Sequence, residues 1–365
     1  MKTFTVTFHH TCNYGALLQC YSLQTTVKSL GHENTVMEYP DKDRFYCRLS
    51  KNPKQAAQNL YRNWLRFLRK KRLKALQASF RTFRKNRLTL SKVYAHVDEL
   101  RKEPPAVDCL ITGSDQVWKM AGNKALLPAR FLDFGPDSVK RFSYAASIEA
   151  LNYTDTQKQQ VAKWLSRFDG IALREQTAAD YIRDITGNPE VVRVLDPVFL
   201  QTKEQWLSIA KPPRIQGPYI LCYQVQSNKR MQEVANHLKK KTGYPIVAIC
   251  PSEIRHIRAD YSLHDVSPEE FLGLYSQAAI VVSASFHGTA FGLLFEKPSY
   301  GLIRSTHANR IREILALGGL ERFCIDAHTP IPEPEIDVAS LREKLEAERA
   351  RSLAYLTNLL KEDSE

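Results

Sequence analysis

The sequence predicts an α/β protein of parallel strands and connecting helices arranged in two halves, and three observations carry that prediction. Short runs rich in Val and Ile alternate with amphipathic helical stretches, the pattern of repeated βα units. Several of these runs end in polar residues just before a helix, as in VVSASFHGT at 281–289 and LITGSDQVW at 110–118. A stretch rich in proline and basic residues, KPPRIQGP at 211–218, then separates two series of strands. The length of 365 residues suits about two domains. In open sheets of this kind, ligands bind beyond the carboxyl ends of the strands, where the next helix offers unpaired N–H groups and a partial positive charge.

The elements follow in order. Residues 3–8 alternate as a strand, 9–12 form a loop, and Asn13 is placed to cap a helix from Tyr14 to Leu30. That helix carries the stripe Tyr14, Leu17, Leu18, Tyr21 and Val27 and is closed by Gly31. A strand at 34–39 completes a βαβ unit if it runs parallel to the first. No G-x-G-x-x-G stands at this turn, which argues against a dinucleotide. From 42 to 102 the chain turns basic and helical. Leu60, Trp64, Phe67 and Leu68, then Leu73, Leu76, Phe80 and Phe83, recur at spacings of three and four. The default expectation is that these faces pack on the sheet, although amphipathic basic helices also lie on membranes. Strands at 107–112 and 141–147, a helix at 155–168, a strand turning into a helix at 170–182, and a strand at 191–200 broken by Asp196 and Pro197 complete the first half. The second half reads as strand 219–224, helix 229–241, strand 245–250, helix 267–276, strand 280–283, strand 298–303 and a helix with Arg310 in its first turn. A charged helix, 333 to about 361, with leucines at 341, 345, 353, 356 and 360, ends the chain.

The net charge of +13 is localised. Fourteen Lys or Arg and no Asp or Glu fall between Lys51 and Lys92, leaving 38 basic residues against 39 acidic ones elsewhere. Such a segment attracts nucleic acid, an anionic leaflet or a phosphorylated substrate, or is a solvated face, and charge alone does not choose. No apolar run approaches the 18 or so residues of a membrane span. The N-terminus reads as a strand rather than a secretory signal, so a cytoplasmic location is expected. Seven cysteines without a C-x-x-C pair argue against a disulfide framework or a zinc site.

Three residues at strand ends stand out. His287 either caps a tight turn or serves a site at the strand's carboxyl end. Asp115 can take a proton from a hydroxyl, hold a ligand or cap the next helix. Arg174 can present its planar donor fork to an anion or pair with a neighbouring carboxylate.

Taken together, NYGALLQCYSLQ, TGSDQVW, RFSYAASIE, IALREQTAADYI, VLDPVFL, SPEEFL, SQAAIVVSASFHGTAFGLLFEKP and HANRIREIL, in this order over about 13–317, resemble the polysaccharide pyruvyl transferase family. The resemblance implies a GT-B-like fold of two Rossmann-like domains with the active-site cleft between them. It places an N-terminal, acceptor-side domain at 1–205 with the basic insertion at 42–102, a phosphoenolpyruvate-side domain at 206–330, and a C-terminal helix, 331–365, packing back across both. It implies transfer of a pyruvyl group from phosphoenolpyruvate to sugar hydroxyls, with release of phosphate and ketal formation, in capsule, exopolysaccharide or cell-wall polysaccharide biosynthesis. Phosphoenolpyruvate is then the donor substrate, and no cofactor or metal is expected.

Carried onto this sequence, the family's catalytic histidine is His287, its phosphoenolpyruvate-binding arginine Arg174, and a basic residue found in some members Arg310; Ser285 and Gly288, at the strand end and the start of the next helix, are expected to join them around phosphoenolpyruvate. Asp115 serves the attacking hydroxyl, and Asn13 and Trp118 contact the acceptor. Lys119 and Glu149 depart from the Asn and Gly frequent in relatives, on the acceptor side. The acceptor is a saccharide, free or lipid-linked, with peripheral contact to the anionic inner leaflet through 51–92 and no nucleic acid. Two alternatives stand beside this reading: a GT-B nucleotide-sugar glycosyltransferase, and a non-catalytic protein binding RNA or an anionic membrane.

Overall fold

The structure, a computed structural model, describes residues 1–40, 52–120, 124–148, 150–225, 228–251, 257–303 and 309–361. Its first sheet contains β1 (Lys2–Val6), β2 (Glu33–Glu38), β3 (Leu90–Val93), β4 (Cys109–Thr112) and β5 (Lys140–Ser143) in the order β3-β2-β1-β4-β5, every pair parallel. Two short strands, β6 (Ala172–Leu173) and β7 (Val192–Arg193), extend its β5 side through single bridges from Phe142 to Gly170 and from Ala146 to Leu173. The second sheet contains β8 (Ile220–Tyr223), β9 (Ile246–Ile249), β10 (Tyr261–Leu263), β11 (Ile280–Ser283), β12 (Ser299–Leu302) and β13 (Cys324–Ile325) in the order β10-β9-β8-β11-β12-β13, again all parallel. Strands β4, β8, β9, β11 and β12 are buried along their whole length, as strands covered by helices on both faces must be.

Each sheet changes direction at one place. In the first, the strand order reverses between β1 and β4, and in the second between β8 and β11. Crevices at such reversals are where open α/β sheets bind ligands. The loop after β4 carries Asp115 and the first turn of the helix after β11 carries His287, so both sequence-selected residues stand at the switch point of their own sheet.

The halves are fastened from several sides. Tyr14, at the start of helix Tyr14–Ser29, donates its hydroxyl to Val266 O at 2.8 Å and stacks on Phe271. Helix Val338–Leu359 spans both cores: Leu341 and Leu345 join the cluster around the second sheet, and Leu356 and Leu360 one around the first. Its Ser352 Oγ accepts from Leu195 N at 2.9 Å.

The basic segment departs from its sequence reading in two ways. It includes the edge strand β3, whose four residues, LSKV, are too short and too polar to show a period. Its first helix, Pro53–Leu68, buries no residue, so the expected packing of Leu60, Trp64, Phe67 and Leu68 does not occur. The second, Lys70–Arg87, does pack, setting Phe80 against Tyr14 and Phe83 against Tyr21. Strands β10 and β13 also escaped the sequence reading, being three and two residues long.

Candidate active site

On the C-terminal side, β11 ends at Ser283 and the chain turns through Ser285 into helix Phe286–Leu294. Ser285 is extended and its carbonyl accepts from Thr289 N at 3.0 Å, but no side chain caps the helix, so its first amides remain for water or a ligand. Gly288 fits because a Cβ there would overlap Ser283 and approach Tyr223 Cδ1 to 2.8 Å; its role in the fold is the close seating of this helix on β8 and β11. His287 stands just before Gly288, in the first turn of the helix, 6 % exposed.

The histidine meets the N-terminal half on two sides. A Cβ added to Gly15, in the first turn of helix Tyr14–Ser29, would run into the His287 ring. On the other side Nε2 lies 3.3 Å from Asp196 Oδ2, close enough for an ion pair but not aligned as a hydrogen bond. Asp196 is itself fully enclosed. Its Oδ2 accepts from Ser114 Oγ and from an Arg174 terminal nitrogen, both at 2.9 Å, and its Oδ1 accepts from Val198 N at 3.1 Å. Burial alone would raise its carboxyl, but the His287 and Arg174 charges outweigh it and hold the group well below the ordinary carboxylate range.

Arg174 is buried at the end of β6. Its Nε donates to Glu175 Oε1 at 2.8 Å, one terminal nitrogen to Asp196, the other to Ser147 Oγ at 3.1 Å, and its guanidinium lies 4.1 Å from the centre of the Phe286 ring. Burial works against its charge, yet Glu175, Asp196 and Asp115 together raise its pKa. Pairing with neighbouring carboxylates is therefore part of its role. Three of its five N–H groups are engaged in these bonds.

Arg310 reaches the same place from the other half. With the Gln116 amide turned so that its oxygen faces Arg310, both terminal nitrogens donate to it at 2.6 and 3.0 Å. Arg174, Glu175, Asp196 and Phe286 line a narrow crevice with Arg310 and Glu313; its free volume of about 10 Å³ is no more than one water needs, so a ligand enters only as Arg310 and Gln116 part. Glu313 closes one end by accepting from Gln176 N and Thr177 Oγ1, capping helix Gln176–Thr186 from across the cleft.

The remaining sequence-selected residues fall as follows. Asp115 adopts a left-handed backbone (φ 74°) and accepts from Gln116 N at 2.9 Å, while its carbonyl accepts from Ser147 N. Asn13 caps its helix, accepting from Gly15 N at 3.1 Å. The Trp118 side chain lies in the core rather than the cleft: it is fully buried, stacked on Phe131, and its one N–H is donated to Arg130 O. No metal-ligand spacing shows in the sequence, yet the fold brings His9, His10 and Glu38 within 4.8 Å of one another; Arg84, donating to His10 O, puts a positive charge beside them.

Sequence reasoning missed Asp196 as anything but a chain break, and it missed Gly15, Gln116 and Gln224. Gly15 had a signal, since glycine in the first turn of an otherwise good helix is costly unless another group must approach closely. Gln224, just past β8 at the second switch point, is 2 % exposed and neither end of its amide has a hydrogen-bond partner. Buried orphans of this kind call for an explanation, and a ligand is one.

The architecture has clear relatives. UDP-GlcNAc 2-epimerase of Methanocaldococcus jannaschii, in complex with UDP-GlcNAc and UDP, matches with a TM-score of 0.53 at 12% identity over 99% of each chain. The UDP-GlcNAc 2-epimerase of Neisseria meningitidis bound to UDP-GlcNAc gives 0.50 at 11% over 99% of each. The S. aureus MnaA–UDP structure gives 0.50 at 9%, covering 100% of this chain and 99% of that one. At such identities the likeness shows the fold alone, GT-B, with its two parallel α/β halves. No curated protein sequence matches the chain. The polysaccharide pyruvyl transferase family model does match, over residues 13–306, and on that span the chain belongs to the polysaccharide pyruvyl transferase family.

Proposed function

We propose that the protein transfers a pyruvyl group from phosphoenolpyruvate to the hydroxyls of a saccharide. The observation that carries this reading is the meeting, between the halves, of Arg174 and Arg310 in one cleft with His287 buried beside Asp196. Phosphoenolpyruvate brings a carboxylate and a phosphate, and guanidinium groups with the uncapped start of helix Phe286–Leu294 suit both. Arg174 retains two N–H groups for a ligand, and Arg310 exchanges the Gln116 amide for one.

In this mechanism His287, held between Gly15 and Asp196, delivers a proton to the methylene carbon of phosphoenolpyruvate. C2 becomes cationic, and a sugar hydroxyl attacks it while Asp115 takes the hydroxyl's proton. A second hydroxyl then bonds to C2 and gives its proton to the now neutral His287, as phosphate leaves with the C2–O electron pair and takes up the proton held by Asp115. The product is a cyclic ketal. Asp196 acts through His287 and Arg174 and is a positioning residue, and Gln224 supplies an amide to whichever polar group lies at the end of β8.

The test is phosphate release from phosphoenolpyruvate in the presence of saccharide acceptors, with UDP-sugars as the parallel donor. Saccharide-dependent phosphate release that falls about 10²–10⁴-fold in His287→Gln supports the reading. UDP release with none of phosphate moves the chain to the glycosyltransferase alternative, and near-unchanged turnover in His287→Gln removes that residue from the chemistry.

A further inference from the structure

Helix Pro53–Leu68 buries none of its residues, which is unusual for a helix of a globular protein that carries five large apolar side chains. Ala56, Asn59, Asn63, Leu65 and Arg66 are half-buried against the rest of the chain. Beside them stand Leu60, Tyr61, Trp64, Phe67 and Leu68, all between 56 and 62 % exposed, five of the ten exposed large apolar side chains among the described residues. A soluble helix keeps its apolar stripe inward. Here no residue of the helix is buried and its large apolar side chains lie in solvent, although asparagine capping by Asn52 and the first-turn Pro53 define the helix well.

We infer that this face docks on an anionic phospholipid surface. The composition of the face, leucine and phenylalanine with tryptophan and tyrosine, is that of side chains that settle at the boundary between acyl chains and headgroups. Charge selects the occupant. Lys54 and Arg62 on the helix, and Lys70, Lys71, Arg72 and Lys74 directly after it, are exposed cations, and no acidic residue stands between Lys51 and Lys92. A second copy of the chain would bring an equally basic segment against this one, so self-association through this face is opposed by repulsion. An anionic leaflet attracts those cations and receives the apolar face together, and among the described residues no helix is long and apolar enough to cross a membrane, so the contact is peripheral. Helix Lys70–Arg87, which packs on Tyr14 and Tyr21, ties this surface to the helix whose first turn holds Gly15 against His287. The inference does not depend on the donor, and its test needs no turnover.

The experiment is co-sedimentation of the full chain with vesicles of phosphatidylglycerol and phosphatidylcholine, or of phosphatidylcholine alone, at low and high salt. The expected result is binding to the anionic vesicles only, weakened by salt, with a blue shift of tryptophan emission that is absent in Trp64→Ser. The triple variant L60S/W64S/F67S should lose at least roughly tenfold in partitioning. K70Q/K71Q/R72Q/K74Q, which leaves the apolar face intact, should bind less at low salt and show a shallower salt dependence. Equal binding to both vesicle types, no binding to either at low salt, or unweakened binding by both variants would overturn the inference. So would a lipid-free dimer, or a complex with an acidic protein only, that the triple variant abolishes.

Discussion

Two regions of this molecule reverse the usual placement of side chains, in opposite senses. In the cleft, Arg174, Glu175, Asp196 and His287 are buried, each within reach of another. On helix Pro53–Leu68, five large apolar side chains face outward. The buried charges are tolerated because they lie in pairs, with Asp196 gathering a serine, an arginine and the charge of a histidine, although Glu175 Oε2 and His287 Nε2 lack a hydrogen-bond partner. The exposed apolar face has no such compensation among the described residues. The difference teaches that the first reversal is internally balanced and can be removed only at a cost in stability, whereas the second can be removed with almost none. Both mark places where something other than the fold is being served.

The comparison can be broken at its strongest point first. Asp196→Asn removes the carboxylate from Arg174 and His287 and should cost about 3–5 kcal/mol, read from urea unfolding, since it leaves a buried charge short of its partner. A loss below about 1 kcal/mol would show that the network is not tightly balanced. Gly15→Ala should cost about 1–3 kcal/mol by forcing the His287 ring aside, and should lower turnover more than donor binding, which a merely structural change would not do.

A buried polar group without charge offers a third comparison. Burial pushes the His9 imidazole down to about 3, so the folded ring stays neutral where the unfolded one would take up a proton. Its contribution is complete above the usual histidine value of 6.5 and is lost as pH falls from there toward 3, at about 1.4 kcal/mol per pH unit. Unfolding series between pH 7.5 and 5 should therefore show a slope that is flatter in His9→Asn. The smallest effect belongs to the surface. L60S/W64S/F67S should change stability in solution by no more than about 0.5 kcal/mol, and a much larger loss would mean that the face is packed after all.

Much of the first-order plan was legible in the sequence. The βα alternation gave the long buried strands, and polar residues clustered at strand ends pointed to Asp115 and His287 because a strand end beside a helix start is a physical position, not only a pattern. What escaped were β3, too polar and exposed to read as a strand, β10 and β13, too short to show a period, and every feature that depends on which elements meet. Asp196 read as a chain break because nothing local says that Arg174 and His287 converge on it. Trp118 read as a ligand contact by its neighbours in sequence, yet its ring belongs to the core beside Phe131. The apolar stripe of Leu60, Trp64 and Phe67 was correctly seen, but a period gives the existence of a face and not the direction in which it points.

The account rests on phosphoenolpyruvate being what Arg174 and Arg310 meet in the cleft, and titration calorimetry of the protein with that ligand tests it without knowledge of the acceptor. The expected result is saturable binding of phosphoenolpyruvate that weakens by at least about tenfold in Arg310→Gln, the loss of one charge-assisted contact, and that UDP does not displace. Saturable binding of UDP, with no heat from phosphoenolpyruvate, would contradict it.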